Sequence, residues 1–244
     1  MEKKDLLKDV IKHIDIKSYN STELIDAMRN MSFTSRDTAR AADILMMMCK
    51  EKECTNILTL AGSTSAAGCM QVYVDMVRNK MIDVVVATGA SIIDMDLFEA
   101  LGFKHYIGEK ENVIADTTLR DLYIDRIYDT YIDEEELQAC DHTTFEIANM
   151  LEARPYSSRE FIYEIGKWLH DGHAVKKDSL IQTCYECGVP IFVPAFSDSS
   201  AGFGIGKHQW ERMQKGEKYL SIDSVKDFVE LTQIKMQAPE TGLF

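Results

Sequence analysis

Asn56-Ile57-Leu58-Thr59-Leu60-Ala61 followed by Gly62-Ser63-Thr64-Ser65-Ala66-Ala67-Gly68 is the passage from which the fold is read. Its first half is an apolar run of strand length. Its second half is small, hydroxylated and bounded by glycine, which marks a loop, and a helical period resumes over residues 69–80. The same order recurs twice. Val84-Val85-Val86-Ala87 meets Thr88-Gly89-Ala90-Ser91 and leads to a helix over 96–101. Val189-Pro190-Ile191-Phe192-Val193 meets Pro194-Ala195-Phe196-Ser197-Asp198-Ser199-Ser200-Ala201-Gly202. All three strands read as apolar on both faces, which indicates an α/β chain with a parallel sheet covered by helices. Ligands of such sheets sit outside the carboxyl ends of the strands, so three loops are expected to converge on one pocket.

Working outward, residues 5–13 and 22–50 have apolar side chains three and four apart and read as helices, the second capped by Ser21 or Thr22 with Glu23 in its first turn. Met46-Met47-Met48 fits a helix buried against the sheet better than a soft binding surface. Residues 112–131 read as a loop with a helical start, and residues 134–151 as a helix with Leu137, Phe145, Ile147 and Met150 as its apolar positions. Ser157-Ser158-Arg159-Glu160 caps a helix over 160–169, residues 179–187 form the helix feeding the third strand, and residues 225–234 are amphipathic. Ala238-Pro239-Glu240-Thr241-Gly242 then connects helix to strand, and Leu243-Phe244 reads as the opening of another buried strand. A folded domain rarely closes on such residues, so the expectation is one domain over 1–244, truncated at its C-terminus.

The chain has 244 residues, 27 Lys plus Arg and 40 Asp plus Glu, a formal charge of −13. This excludes the basic stripe of a general nucleic-acid binder. Acidity suits cationic ligands, although solubility explains it as well. No apolar run reaches the roughly 18 residues of a membrane span, and the N-terminus carries no signal-peptide pattern. Six scattered cysteines in a chain read as cytoplasmic do not suggest a disulfide framework.

Several groups are candidates for chemistry. Hydroxyls and amides of the 62–68 loop suit an anion at a helix N-terminus, though the loop is neither a dinucleotide fingerprint nor a Walker loop. Asp94, Asp96 and Asp198 follow strand ends, where they suit a ribose hydroxyl or an ammonium group; helix capping is the competing reading. Cys184 with Cys187, and His170 with His173, have ligand-like spacing, but the thiols read as helix packing and the histidines as a helix-end turn, so no metal is expected. Cys69 and Ser65 lack a nucleophile elbow. Trp168 and Trp210 read as packing residues. Lys207-His208-Gln209-Trp210 follows a glycine-rich turn and is a candidate pocket wall.

Four motifs carry a resemblance: Leu60-Ala61-Gly62-Ser63-Thr64-Ser65, Met81-Ile82-Asp83-Val84-Val85-Val86-Ala87-Thr88-Gly89-Ala90, Arg154-Pro155-Tyr156-Ser157-Ser158-Arg159-Glu160-Phe161, and Val189-Pro190-Ile191-Phe192-Val193-Pro194-Ala195-Phe196-Ser197-Asp198-Ser199-Ser200. In this order they resemble the deoxyhypusine synthase family, particularly its prokaryotic branch, over nearly the whole chain. The resemblance implies a Rossmann-like three-layer fold, a homotetramer with active sites at an interface, and bound NAD. It implies oxidation of spermidine and passage of its aminobutyl group, through an imine on an enzyme lysine, to a lysine of a translation factor precursor. Some relatives pass the group to a small amine and make homospermidine. Thr64 and Ser65 fall on the family's hydroxyl pair at the cofactor loop, Thr88 and Gly89 on its second cofactor loop, and Asp198 and Ser200 on the third. Ala66 replaces an asparagine of eukaryotic members. Asp94 or Asp96 approximates an acidic substrate position, with His208 nearby. Phe203 stands where eukaryotic-type members carry a polyamine-binding aspartate, which implies an altered amine. The covalent lysine of the family lies beyond Phe244. Two further readings follow: a homospermidine-type synthase with a small amine acceptor, and an inactive truncated paralogue regulating a complete subunit in a hetero-oligomer.

Overall fold

The computed structural model describes residues 1–108 and 114–243. In chain order the helices are α1 (Lys3–Leu6), α2 (Thr22–Met28), α3 (Thr34–Lys50), α4 (Met70–Arg78), α5 (Phe98–Ala100), α6 (Asp116–Asp121), α7 (Glu134–Met150), α8 (Ser158–Trp168), α9 (Leu180–Cys187), α10 (Gly202–Gln214) and α11 (Ser224–Gln237). The strands are β1 (Cys54–Leu60), β2 (Val84–Ala87), β3 (His105–Ile107), β4 (Ile124–Ile127), β5 (Thr130–Asp133), β6 (Pro155–Tyr156), β7 (Ile191–Phe192), β8 (Ser221–Ile222) and β9 (Glu240–Leu243).

The main sheet has the order β7-β2-β1-β9 and is parallel throughout. Parallel strands need crossovers, and helices supply them, so the chain has the α/β architecture read from its three apolar runs. Ile57 pairs with Val84 and Leu60 with Ala87, while Val85 pairs with Ile191, which brings the ends of β1, β2 and β7 together. Leu58, Val85, Ile92, Phe98, Phe161, Ile181 and Phe196 belong to one buried cluster. Each such side chain contributes on the order of 1.5–3 kcal/mol when removed from water. Ser157 caps α8 in a reciprocal box with Glu160, and Ser179 caps α9.

Several expectations need correction. Residues 5–13 are not one helix: after α1, Val10 pairs with Tyr106 and Ile11 N donates to His105 O at 2.9 Å, so strand pairing takes the backbone bonds a helix would have used. Residues 22–50 are two helices, because Phe33 sits at φ 56°, which a helix cannot pass through. Met46 and Met47 are exposed; only Met48 of that run turns toward the sheet, at Gly242 and Asn56. β1 is not closed on both faces: Asn56, Leu58 and Leu60 are buried, while Thr59 between them is exposed. Within 112–131 the structure places α6, β4 and the start of β5, and β5 is the centre of an antiparallel sheet of order β3-β5-β4; Asn112 and Val113 lie outside the described residues. Trp210 and Met150 are exposed, whereas Trp168 packs on the core. The last strand begins at Glu240, with Leu243 exposed and opposite Ile57; Phe244 lies outside the described residues.

Candidate functional site

The loops after β1, β2 and β7 meet at the carboxyl ends of their strands. Ser91 Oγ donates to Gly62 O, and Ser65 Oγ donates to Ser91 O at 3.1 Å, which ties the first loop to the second. Gly89 is buried so closely against Ser199 that a Cβ there would overlap the serine side chain, which seats the third loop on the second. Helical winding starts at Ala90, directly after β2, in a wide turn through Leu97. This is earlier than the 96–101 helix expected from the sequence.

The hydroxyls divide into two groups. Thr88 is exposed on the rim and Thr64 half-buried, with Tyr73 OH donating to Thr64 Oγ1 at 2.9 Å, so the Thr64 proton is left to point elsewhere. Ser65 is buried and spent on Ser91. Asp198 is exposed in a turn closed by its own amide on Ala195 O at 2.9 Å.

Two aspartates act as braces beneath this rim. Asp94 accepts the amides of Ser200 at 2.9 Å and Ala201 at 3.1 Å, at the start of α10; burial raises its pKa and these bonds lower it, with burial winning. Asp96 is 1% exposed and accepts the amides of Leu180 at 2.9 Å and Ile181 at 2.7 Å at the start of α9. Burial pushes it up to about 6. Asp96 thus faces α9 and is shut off from the rim.

His208 is also buried. Leu220 N donates to its Nε2 at 2.9 Å, so its Nδ1 carries the proton and donates to Asn149 Oδ1 at 2.8 Å. Both ring nitrogens are used in joining α10 to α7 and to the approach to β8. Phe203 is 79% exposed in the first turn of α10.

Over residues 23–244 the chain matches the family model described as deoxyhypusine synthase. It is 65% identical over 243 residues to a deoxyhypusine synthase-like protein of Caulobacter vibrioides, covering all of this chain and 66% of that protein. It is 58% identical over 241 residues to a deoxyhypusine synthase-like protein of Coxiella burnetii, covering 99% of this chain and 67% of that one. The chain belongs to the deoxyhypusine synthase family. It spans about two thirds of the length of these curated relatives. A crystal structure assigned to a deoxyhypusine synthase from Entamoeba histolytica has the same fold, with a TM-score of 0.65 at 19% identity over 96% of this chain and 77% of that one.

Within this deoxyhypusine synthase frame, two features escaped the sequence reading. Asp141 of α7 accepts the Ser200 hydroxyl at 2.7 Å, so it reaches the third loop from a helix read only for its apolar stripe. Glu99 is a buried hub: His13 Nε2 lies 2.6 Å from Oε2, His105 Nδ1 lies 2.8 Å from Oε1, and Lys176 also donates to Oε2. For Glu99 the local signal was a charged residue in an apolar stretch; for Asp141, between Cys140 and His142, there was none.

Packing takes up only part of the metal-like spacings. Cys184 is buried in α9, but Cys187 is exposed rather than packed. His173 stacks on Trp168 at 4.2 Å and His170 lies 3.2 Å from Glu186. Among the described residues no group of three or more His, Cys, Asp or Glu side chains is placed to hold a metal ion, and no helix is long and apolar enough to cross a membrane.

Proposed function

We propose that this chain is the NAD-binding part of an aminobutyl transferase of the deoxyhypusine synthase type, acting on spermidine or a related polyamine. The observation that carries the reading is the convergence of three glycine- and hydroxyl-bearing loops at the ends of β1, β2 and β7, where α/β sheets hold nucleotides. The donor set fits the cofactor. Gly62 has φ +67° and nothing within 4 Å of where a Cβ would stand, so a phosphate can approach its backbone closely. Thr64 and Thr88 offer hydroxyls to ribose or phosphate, with Gly89, Asp198 and Ser200 at the same edge. When bound, NAD supplies the acceptor for hydride from the amine carbon. The protein's own part is to orient: Asp94 and Asp141 fix the third loop.

In this reading the acceptor is a lysine of a translation factor precursor, the assembly is a homotetramer and the compartment is cytoplasmic. Asp94 and Asp96 contribute as braces rather than as direct amine ligands. A second reading, transfer to a small amine to give homospermidine, is favoured by Phe203, which presents an exposed ring beside the third loop.

Calorimetry with NAD tests the first element. Micromolar binding that weakens about tenfold in Thr88→Val supports the reading, and no NAD binding overturns it for this chain. Product analysis with spermidine and NAD, offering either putrescine or a precursor lysine, separates the two acceptors. Binding without turnover, and turnover only after a complete subunit is added, would favour the regulatory paralogue.

A further inference from the structure

The turn that carries Thr64 is held from behind by the N-terminus. Residues 9–17 form a strap fixed at both ends. At one end it joins β3: Ile107 N donates to Asp9 O at 2.7 Å and Ile11 N to His105 O at 2.9 Å. At the other, Lys17 Nζ donates to Oδ1 of Asp75, a buried residue of α4, at 2.7 Å. Between these ends the strap lies against Gly68. This glycine has φ +87°, and a Cβ on it would stand 2.9 Å from Lys12 O. Ile14 N donates to Gly68 O at 3.0 Å.

His13 carries the strap's hold onto α4 itself. Met70 N is the first amide of that helix, one of the donors a helix leaves without an internal partner. It donates to His13 Nδ1 at 3.2 Å, while His13 Nε2 lies 2.6 Å from Glu99 Oε2. The imidazole thus links a buried carboxylate to the start of α4. Thr64 depends on the same turn of helix. Cys69 N donates to Thr64 O at 3.2 Å, and Tyr73 OH donates to Thr64 Oγ1 at 2.9 Å. A displacement of residues 69–73 therefore moves Thr64 through its backbone and its hydroxyl at once.

We propose that His13 is a positioning residue for the cofactor: by accepting Met70 N–H on a ring anchored at Glu99, it sets where α4 begins and so where Thr64 presents its hydroxyl. The proposal rests on the NAD reading above and assigns part of that affinity to a residue behind the loop that does not touch the ligand.

Calorimetry with NAD on the full chain, with the thermal midpoint recorded for each variant, tests it. The two ring nitrogens can be mimicked separately. His13→Asn puts an amide oxygen near the place of Nδ1 and gives up the Glu99 bond. His13→Gln reaches Glu99 with its amide nitrogen and gives up the Met70 bond. Each keeps one of the two bonds, so both are expected to fold. His13→Gln and His13→Ala are expected to bind NAD about fivefold more weakly than the parent chain. His13→Asn is expected to regain most of that loss, although its thermal midpoint falls with the Glu99 bond. A merely structural role gives the reverse order, because the glutamine keeps the buried contact. His13→Asn binding NAD no more tightly than His13→Gln overturns the proposal, as does His13→Ala binding within about twofold of the parent; both results leave the NAD reading standing. A parent chain that binds no NAD overturns that reading, and the proposal falls with it.

Discussion

His13 and Glu99, 86 residues apart in sequence, meet with Nε2 and Oε2 at 2.6 Å, and the other ring nitrogen of His13 accepts Met70 N–H at 3.2 Å. A backbone amide can only donate, so His13 holds its proton on Nε2 and gives it to the carboxylate. One imidazole therefore fastens the N-terminal strap both to the Glu99 hub and to the first turn of α4, just after the 62–68 loop. The strap also meets this loop through Ile14 N, which donates to Gly68 O at 3.0 Å.

Breaking that hub is expected to destabilise the chain strongly. Glu99→Ala leaves His13, His105 and Lys176 facing a void, and removal of one member of a buried charge network costs about 3–5 kcal/mol. His13→Ala is expected to be milder and local, with faster amide hydrogen exchange at Ile11, Ile14 and Met70 before global unfolding. Urea denaturation and exchange mass spectrometry read the two effects. Equal protection of those amides in His13→Ala and the parent chain would show that the imidazole does not hold the strap.

The Glu99 hub also predicts an acid limit. Burial opposes the charge on Glu99, but hydrogen bonds from His105, His13 and Lys176 outweigh it and hold the carboxyl well below its usual range. A depressed carboxylate stabilises above its unfolded pKa, about 4.3, and this contribution is lost as pH falls further. Stability of the parent chain is expected to fall steeply below that point, and a Glu99→Gln variant to fall less steeply. The urea midpoint as a function of pH measures it.

Asp96 has the opposite sign. Burial raises it to about 6 against the amides of Ile181 and Leu180. A raised carboxyl binds its proton more tightly in the folded state, so its contribution is full below the unfolded value and is lost as pH rises from about 4 to about 6. The shift of roughly two units corresponds to about 3 kcal/mol across that window. Asp96→Asn, which retains one acceptor for the α9 amides, is expected to flatten the profile between pH 4 and pH 6 and to leave the acid limb below it. A variant with the parent's slope in that window would assign the titration to another group, of which Asp141, also pushed up by burial to about 6, is the nearest candidate.

How much of this was legible follows from where the information lies. The three strand-loop units could be read because buried parallel strands carry continuous β-branched and aliphatic runs, and their loops must be small where chains approach as closely as Gly89 and Ser199 do. The β4–β5 hairpin was missed because its turn is Tyr128-Asp129, with Tyr128 at φ 53°, rather than the Asn-Gly pair that usually marks such turns. The N-terminal strap was misread because its helical spacing is real but its backbone finds better partners in β3. Asp141 and Glu99 were missed because their roles lie in pairings 59 and 86 residues away, which no local period encodes. The same limit applies to Asp94 and Asp96: the competing reading has them cap the helix they begin, whereas they lie inside the 90–97 winding and accept amides at the starts of α10 and α9.

The packing of Gly89 against Ser199 gives a test of whether the three loops act as one unit. In Gly89→Ala the new methyl would overlap Ser199, whose own hydroxyl is held by Phe196 O at 2.8 Å, so the third loop must shift as a body. Overpacking of this kind costs about 1–3 kcal/mol. Asp94 and Asp141 both hold Ser200, the next residue, so the displacement is transmitted to the rim that is proposed to hold NAD. Gly89→Ala is therefore expected to lose about tenfold or more in NAD affinity. Ser199→Gly removes the obstructing side chain, and the double variant is expected to regain most of both losses, giving a coupling of about 1–3 kcal/mol. A cycle in which the two substitutions add without coupling would mean that the second loop alone positions the cofactor, and the third would then owe its place to Asp94 and Asp141 only.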